Sequence, residues 1–547
     1  MQAQKQLKKL FTLSLLGSLV AFSHQAFAAK VPAGVELAAK QEIALQTTAE
    51  VSTLDPQKAS GVPESRVLRQ LSEGLVITDE ADNIIPGVAE RWESSPDFKE
   101  WTFHLRQDAK WSNGDPVTAQ DFVFAWQRLV DPATASPYAS YLNFMQLENA
   151  AKVVAGQAPK ESLGVKALDD HTLQLTLEAS VPYAVELTQH SSLMPVHRAS
   201  VEKYGDNWTA ADKFIGNGAY KISNRVINEK LELVRNDQYW NDKETVIDKA
   251  TFVVLGESAG INRFRSGDLD VAMMPQPLYK DAKFQQEYGS QIHKFQKLGT
   301  FIYKFNMNKA PLDDVRVRKA LDLGVDRDVI AHKVLGFGQK PTFTFTPDYI
   351  GAGEKIQQPE YAKWTQQERN EEAKKLLREA GFSKQNPLKA ELLYNTNDGL
   401  KTIAIAVGSM WKTNLDGMVN ISLKNQEWKT FLDMKKQGNY EIIFSAWSAD
   451  YNEASTFLTY FLSNSEQNTS GFKSEKFDAL IAQSYEAKTE DERAEIYAQA
   501  EAELDSHHPF VALYHYAGLF IKNPKLKGYE GKSAQDNYRI KDFYLEK

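Results

Sequence analysis

The sequence predicts an α/β protein of several domains with mixed sheets, on three observations. Helix-period and strand-period segments interleave along the whole chain instead of clustering. The 547 residues exceed what a single hydrophobic core organises. No internal repeat, low-complexity tract or long linker interrupts the chain, so its domains are expected to be joined by strands and not by tethers.

Taken in order, the chain opens on Lys5, Lys8 and Lys9, an apolar run from Leu10 to Phe22, and Ala26-Phe27-Ala28. That pattern predicts a secretory leader over residues 1–28, because the run is shorter than a bilayer-spanning helix requires. Its removal takes the formal charge from −8 to −11, and a mildly acidic, evenly mixed chain argues against nucleic acid as a partner. With no cysteine, a lipid-anchor site, a disulfide framework, thiolate zinc sites and a cysteine nucleophile are all excluded.

Glu42 to Leu45 reads as a strand leading to the Leu54-Asp55-Pro56 turn. After the 61–65 turn, Glu64 opens a helical pattern through Val67, Leu68 and Leu71 that ends near Gly74. Trp101, Phe103 and Leu105 alternate with polar residues, as Leu173, Leu175 and Leu177 do, which predicts half-buried strands. Asn113-Gly114-Asp115-Pro116 is a turn, and Thr118 with Asp121 caps a helix whose face is Phe122, Ala125, Trp126 and Leu129. Gly216-Asn217-Gly218 turns into a strand at Ala219–Ile222. Thr365 and Glu368 form a capping box for a helix through Ala373, Leu376, Leu377 and Ala380, with Gly381 as its C-terminal stop.

Signals for catalysis are weak. Gly256-Glu257-Ser258-Ala259-Gly260 fits a nucleophile elbow between a strand and a helix, which would make Ser258 the nucleophile of a hydrolase. No oxyanion loop precedes it, and nothing selects a partner among His507, His508 and His515. Those histidines lack a carboxylate at ligand spacing and read as packing or surface residues, so no metal is expected. Asp169-Asp170 and Asp313-Asp314 sit where helix or turn capping explains them. A secreted chain with 11% aromatic residues along its length suits a binding protein with its site between lobes.

The stretch from Phe444 to Leu458, FSAWSADYNEASTFL, follows an apolar run from Tyr440 to Phe444 expected to be a buried strand. Asp450 then stands between Trp447 and Tyr451, a plausible cradle for a cation, with an Asx-turn as the plainer reading.

WTFHLRQDAKWSNGDPVTAQDFVFAWQRL at 101–129 resembles the signature of the family 5 extracytoplasmic solute-binding proteins, which serve peptide-class ABC importers. The resemblance extends through LDPQKASGVPES (54–65), DPATASPYASYL (131–142), GNGAY (216–220), APLDDVRVRKAL (310–321), QEWKTFLD (426–433) and DYNEASTFL (450–458). It is strongest toward the oligopeptide-binding and murein-tripeptide-binding members.

The resemblance implies a two-lobed periplasmic-binding-protein (type 2) fold with an extra inserted domain. Domain I is expected at 29–72, 198–298 and 518–547, domain II at 73–197 and domain III at 299–517. It implies a monomer in the periplasm, without catalysis or cofactor, that delivers its cargo to an inner-membrane ABC permease. The position of Asp450 takes a peptide α-ammonium, Val62, Ala446 and Ser448 offer backbone to an extended peptide, and Tyr138, Trp428 and Trp447 line the site.

Where oligopeptide members carry cations for the peptide carboxylate, this chain has Leu335, Leu400 and Phe444. Another cation is therefore expected to serve, or the ligand differs, with murein-derived peptide or a non-peptide cargo such as haem as the alternatives. Two cysteines of the oligopeptide members are replaced by Gly299 and Ser448, leaving any stability they contribute to packing.

Overall fold

The computed structural model describes residues 31–547, so the expected leader falls outside the described residues. One eleven-stranded mixed sheet runs through the molecule. Its order is Val419–Gln426, Leu388–Asn395, Ile442–Ser448, Ile292–Phe305, Phe510–Lys522, Val271–Met273, Glu42–Thr47, Lys249–Val254, Lys230–Arg235 and Tyr220–Val226. Lys340–Pro341 pairs off this path with Phe510–Lys522.

Two long strands span the centre. Ile292–Gln296 pairs with Ala517–Ile521, Thr300–Lys304 pairs with Phe510–His515, and the register breaks between Gln296 and Thr300. On one side of the break the core gathers Ile43, Leu45, Tyr220, Phe252 and Phe520. On the other it gathers Phe301, Tyr303, Trp411, Leu513 and Leu392, with a second group around Phe345, Tyr460, Phe461 and Phe510.

A separate four-stranded antiparallel sheet, Ala89–Ser94, Glu100–Leu105, Thr172–Thr176 and Val165–Asp169, has its own core with Phe103, Phe122, Trp126 and Leu173. Trp101, Phe103 and Leu105 are buried and their polar neighbours are not, as the alternation predicts. The helix Ala119–Val130 buries Phe122, Ala125, Trp126 and Leu129, and Asp121 Oδ2 accepts from the Thr118 N–H at 2.8 Å. The 365–368 capping box opens the helix Gln366–Glu379, where the Glu368 N–H donates to Thr365 Oγ1 at 3.2 Å. Tyr451 packs into the core of the four-stranded unit and so ties the two together.

Two expectations shift at their edges. The first helix is Val62–Leu71, starting two residues before Glu64, because Pro63 suits an opening helical turn. The strand expected at Tyr440–Phe444 is Ile442–Ser448, so it carries its alignment up to the site.

Gly299 and Ser448 are direct cross-strand partners. A Cβ at position 299 would sit 3.4 Å from Ser448 Oγ but 2.9 Å from the Trp447 carbonyl. The double variant G299C/S448C is expected to form a disulfide under oxidising conditions. It should add about 2 kcal/mol, at the low end of the usual range because that carbonyl must give way. Denaturant unfolding with and without reductant measures the gain.

Candidate ligand-binding cleft

The strand Ile442–Ser448 is hydrogen-bonded along one edge to Ile292–Phe305, from Phe305↔Ile442 to Gly299↔Ser448. Its other edge is paired only at Ile442 and Ile443, with Leu392 and Leu393. From Phe444 to Ser448 that edge has no strand partner among the described residues, and these residues line a cavity of about 260 Å³. An unpaired strand edge lining a cavity is a template for an added strand.

Val62, Tyr138, Trp428, Phe444, Ala446, Trp447, Ser448 and Asp450 all line this one cavity. Val62 does so as the first residue of a helix, with extended Gly61 before it. A Cβ on Gly61 would lie 2.1 Å from Glu64 Oε2 and 2.8 Å from the Trp428 ring, so a larger residue there would have to displace both side chains. Leu335 and Leu400 are not brought to the cavity. Leu335 is buried at the end of the Val329–Leu335 helix, and Leu400, in the first turn of Asp398–Asn414, packs against the same core. Phe444 does both, touching Phe301 at 4.9 Å between ring centres while facing the cavity.

Asp450 follows directly on the open edge, with its side chain 13% exposed. His190 Nε2 lies 3.4 Å from its Oδ1, and Tyr138 lines the same cavity beside it. Burial and then Asp450 hold the Tyr138 hydroxyl well above its ordinary pKa, so it stays a donor. The rings of Tyr138 and Tyr141 enclose His190 at 4.4 and 4.8 Å. Trp447 Nε1 is buried without an acceptor among the described residues, which leaves a donor for whatever occupies the cleft.

Four basic side chains, His190, Arg66, Arg69 and Lys435, stand on the cavity wall without a signal in the sequence. Arg66 is committed to Asp536, 2.5 Å away. Lys435, half-buried on the helix Trp428–Lys436, has no hydrogen-bond or ion-pair partner among the described residues. Burial alone pulls its pKa down to about 8. Beneath it, fully buried Lys304 donates to Tyr460, Thr469 and the Gln467 carbonyl, neutral acceptors that match a pKa pushed well down by burial. One lysine on a mostly polar surface helix carries no sequence signal until the fold turns it toward a cavity.

The cleft is closed. Trp428 Nε1 donates to Glu64 Oε1 at 3.2 Å, Gln467 to the Pro137 carbonyl at 2.8 Å and Lys436 to the Ala135 carbonyl at 3.0 Å. Ser140 also donates to Glu466 at 2.9 Å.

The elbow motif forms no catalytic group among the described residues. Ser258 is exposed at the start of the helix Glu257–Arg265, and Gly260 is buried against the Gln46 side chain, which would meet any Cβ at 2.2 Å. His515 is bonded to Thr300 at 2.8 Å, His507 to the Glu503 carbonyl, and His508 lies 3.4 Å from Asp322. Asp322, Asp505 and His508 converge, but Arg327 already donates to Asp322 and Tyr361 to Asp505, so a cation is in place.

Residues 83–469 match the family described as bacterial extracellular solute-binding proteins, family 5. The chain belongs to this family. The periplasmic oligopeptide-binding protein OppA of Haemophilus influenzae is 49% identical over 529 residues, covering 96% of this chain and 98% of its own. The crystal structure of H. influenzae OppA in complex with RPPGFSPFR superposes with a TM-score of 0.92 at 50% identity, covering 94% and 100% of the two chains. The Escherichia coli murein tripeptide binding protein MppA gives 0.90 at 42% identity, covering 93% and 99%. An unliganded open form of MppA, at the same 42% identity and covering 94% and 99%, gives only 0.65. The lobes here thus stand as in the peptide complex. The family is one of binding proteins, and no helix of the described residues is long and apolar enough to cross a membrane.

Proposed function

We propose that this chain is the periplasmic substrate-binding component of an ABC importer, and that it captures short peptides with a free amino terminus between its lobes. The open strand edge from Phe444 to Ser448, leading straight to Asp450, carries the reading. Edge pairing uses only backbone, so it tolerates many side chains, while Asp450 selects the ammonium. Trp428, Trp447 and Tyr138 shape the walls, and Lys435 replaces the cations absent at Leu335, Leu400 and Phe444 as the counter-charge for the peptide carboxylate. No step is catalytic. Residues 1–28 act as the export leader, and the periplasmic relatives support that destination.

The segments 29–72, 198–298 and 518–547 move as one lobe against 299–517, with 73–197 riding on the first. The register break between Gln296 and Thr300, where both central strands cross from one core to the other, supports this division. Closure is a population shift driven by ligand contacts to both sides. A haem cargo finds less support, because among the described residues His190 is the one histidine on the cavity wall and is held by Ser192 and Asp450.

Mass spectrometry of ligand carried through native purification tests the function. Peptides with free amino termini are expected, and a uniform non-peptide cargo would overturn the reading. Lys435 gives a finer test. Affinity for a free-carboxyl peptide is expected to fall as pH rises above about 8, where unliganded Lys435 loses its charge. A C-terminally amidated peptide should show only the shallower fall that comes from its own α-ammonium, which titrates in the same range. The variant K435M should cost the free-carboxyl peptide about 1–2 kcal/mol and abolish the pH difference in calorimetric titrations.

A further inference from the structure

A second cavity, of about 440 Å³, lies behind the amine anchor and shares Arg69, Asp536 and Asn537 with the cleft as a common wall. The acids around it are already engaged: Asp536 by Arg66 and Lys297, Glu530 by Lys522, and Glu80 by Lys532. Asp542 is paired with Lys541, and Asp79 accepts from the N–H groups of its own turn.

Two cations on the wall are not engaged in this way. Arg69 and Arg539 are each 6% exposed. Arg539 donates one guanidinium N–H to the Arg69 carbonyl at 2.8 Å. Its Nη2, and the Nε and Nη1 of Arg69, are buried with no acceptor among the described residues. Buried donors normally find partners, and two adjacent guanidinium groups repel unless an anion lies between them. Burial and then Arg539 pull the Arg69 pKa down to about 10, with Asp450 and Asp82 acting against that shift.

We propose that the second cavity binds an oxyanion, a phosphate or carboxylate group held between the guanidinium forks of Arg69 and Arg539. Planar forks suit such groups bidentately, and the volume admits a small metabolite bearing one. Arg69 also faces Asp450 electrostatically, so its free charge competes with a ligand ammonium. An oxyanion on Arg69 removes that competition, and by linkage ligand and anion then strengthen each other's binding. This coupling rests on Asp450 being the amine anchor, whereas the anion site does not.

Crystals soaked in selenate are expected to show an anomalous peak between the two guanidinium groups, and its absence there would overturn the site. In solution at constant ionic strength, phosphate or acetate is expected to tighten trialanine binding about fivefold in the wild type and not in R539Q. Tightening by phosphate alone assigns a phosphoryl group, and by acetate alone a carboxylate. Equal tightening in wild type and R539Q would reduce the effect to general salt and overturn the coupling. A selenate peak with unchanged trialanine affinity would keep the site and remove its link to Asp450. Should R539Q not fold, R539K keeps the charge without the fork and is expected to lose most of the effect, while the soak needs no variant.

Discussion

Replacing Asp450 by asparagine is expected to weaken the binding of a short free-amine peptide by about 2–5 kcal/mol, the usual cost of truncating one partner of a buried charge pair. The carboxylate is only 13% exposed, so little water screens it. It stands 3.4 Å from His190, and an asparagine of the same shape keeps the packing while losing the charge. What the variant lacks is a charge-assisted bond in a site sealed by aromatic rings. An N-acetylated peptide separates this from a general defect. It should bind the wild type weakly and lose little more in D450N, because its ammonium is already gone. Calorimetric titration of both peptides against both proteins completes the cycle. An equal loss for the two peptides would place the effect in the fold of the site and not in the ammonium.

How far the sequence reaches into this site follows from how local each signal is. The two capping boxes, at Thr118 and Thr365, and the alternation at Trp101–Leu105 are written within six residues, and the structure forms them as expected. Asp450 is different. Its neighbours Trp447 and Tyr451 hint at a cradle, but the cradle is completed by Tyr138 and His190, about 260–310 residues earlier in the chain. The family resemblance joined Asp450 to Tyr138, and nothing in the sequence joined it to His190. Lys435 and Arg69 carried no such hint, since an ordinary helix places them and only burial without an acid partner distinguishes them. The resemblance also drew attention to Leu335 and Leu400, which the fold turns into the core beside the cleft.

Removing the Asp536 side chain is expected to destabilise the protein by about 3–5 kcal/mol, because it leaves two cations without their shared carboxylate. Arg66 Nη2 and Lys297 Nζ approach the same oxygen, Oδ2, at 2.5 and 2.7 Å. Arg66 belongs to the first helix, Lys297 to the central strand at its register break, and Asp536 to the C-terminal segment, so one carboxylate fastens three separate stretches. Burial alone would raise its pKa, but Arg66 and then Lys297 outweigh burial and hold it at about 2. The ordinary value is 3.8, so the folded state binds this proton less readily than the unfolded chain. The sign follows: the stabilisation is complete above pH 3.8 and is lost as pH falls toward 2. The shift corresponds to about 2.5 kcal/mol. Chemical denaturation of the wild type across that range should show a fall of this order, and D536A should be weaker at neutral pH with a shallower acid slope. If the variant matched the wild type at neutral pH, the carboxylate would be a bystander and the two cations would be solvated in the cleft. The same variant bears on closure, since Arg66 lines the cleft and Lys297 sits where the strands cross between cores. Losing their common partner should loosen the crossing as well as the floor, lowering peptide affinity in step with stability.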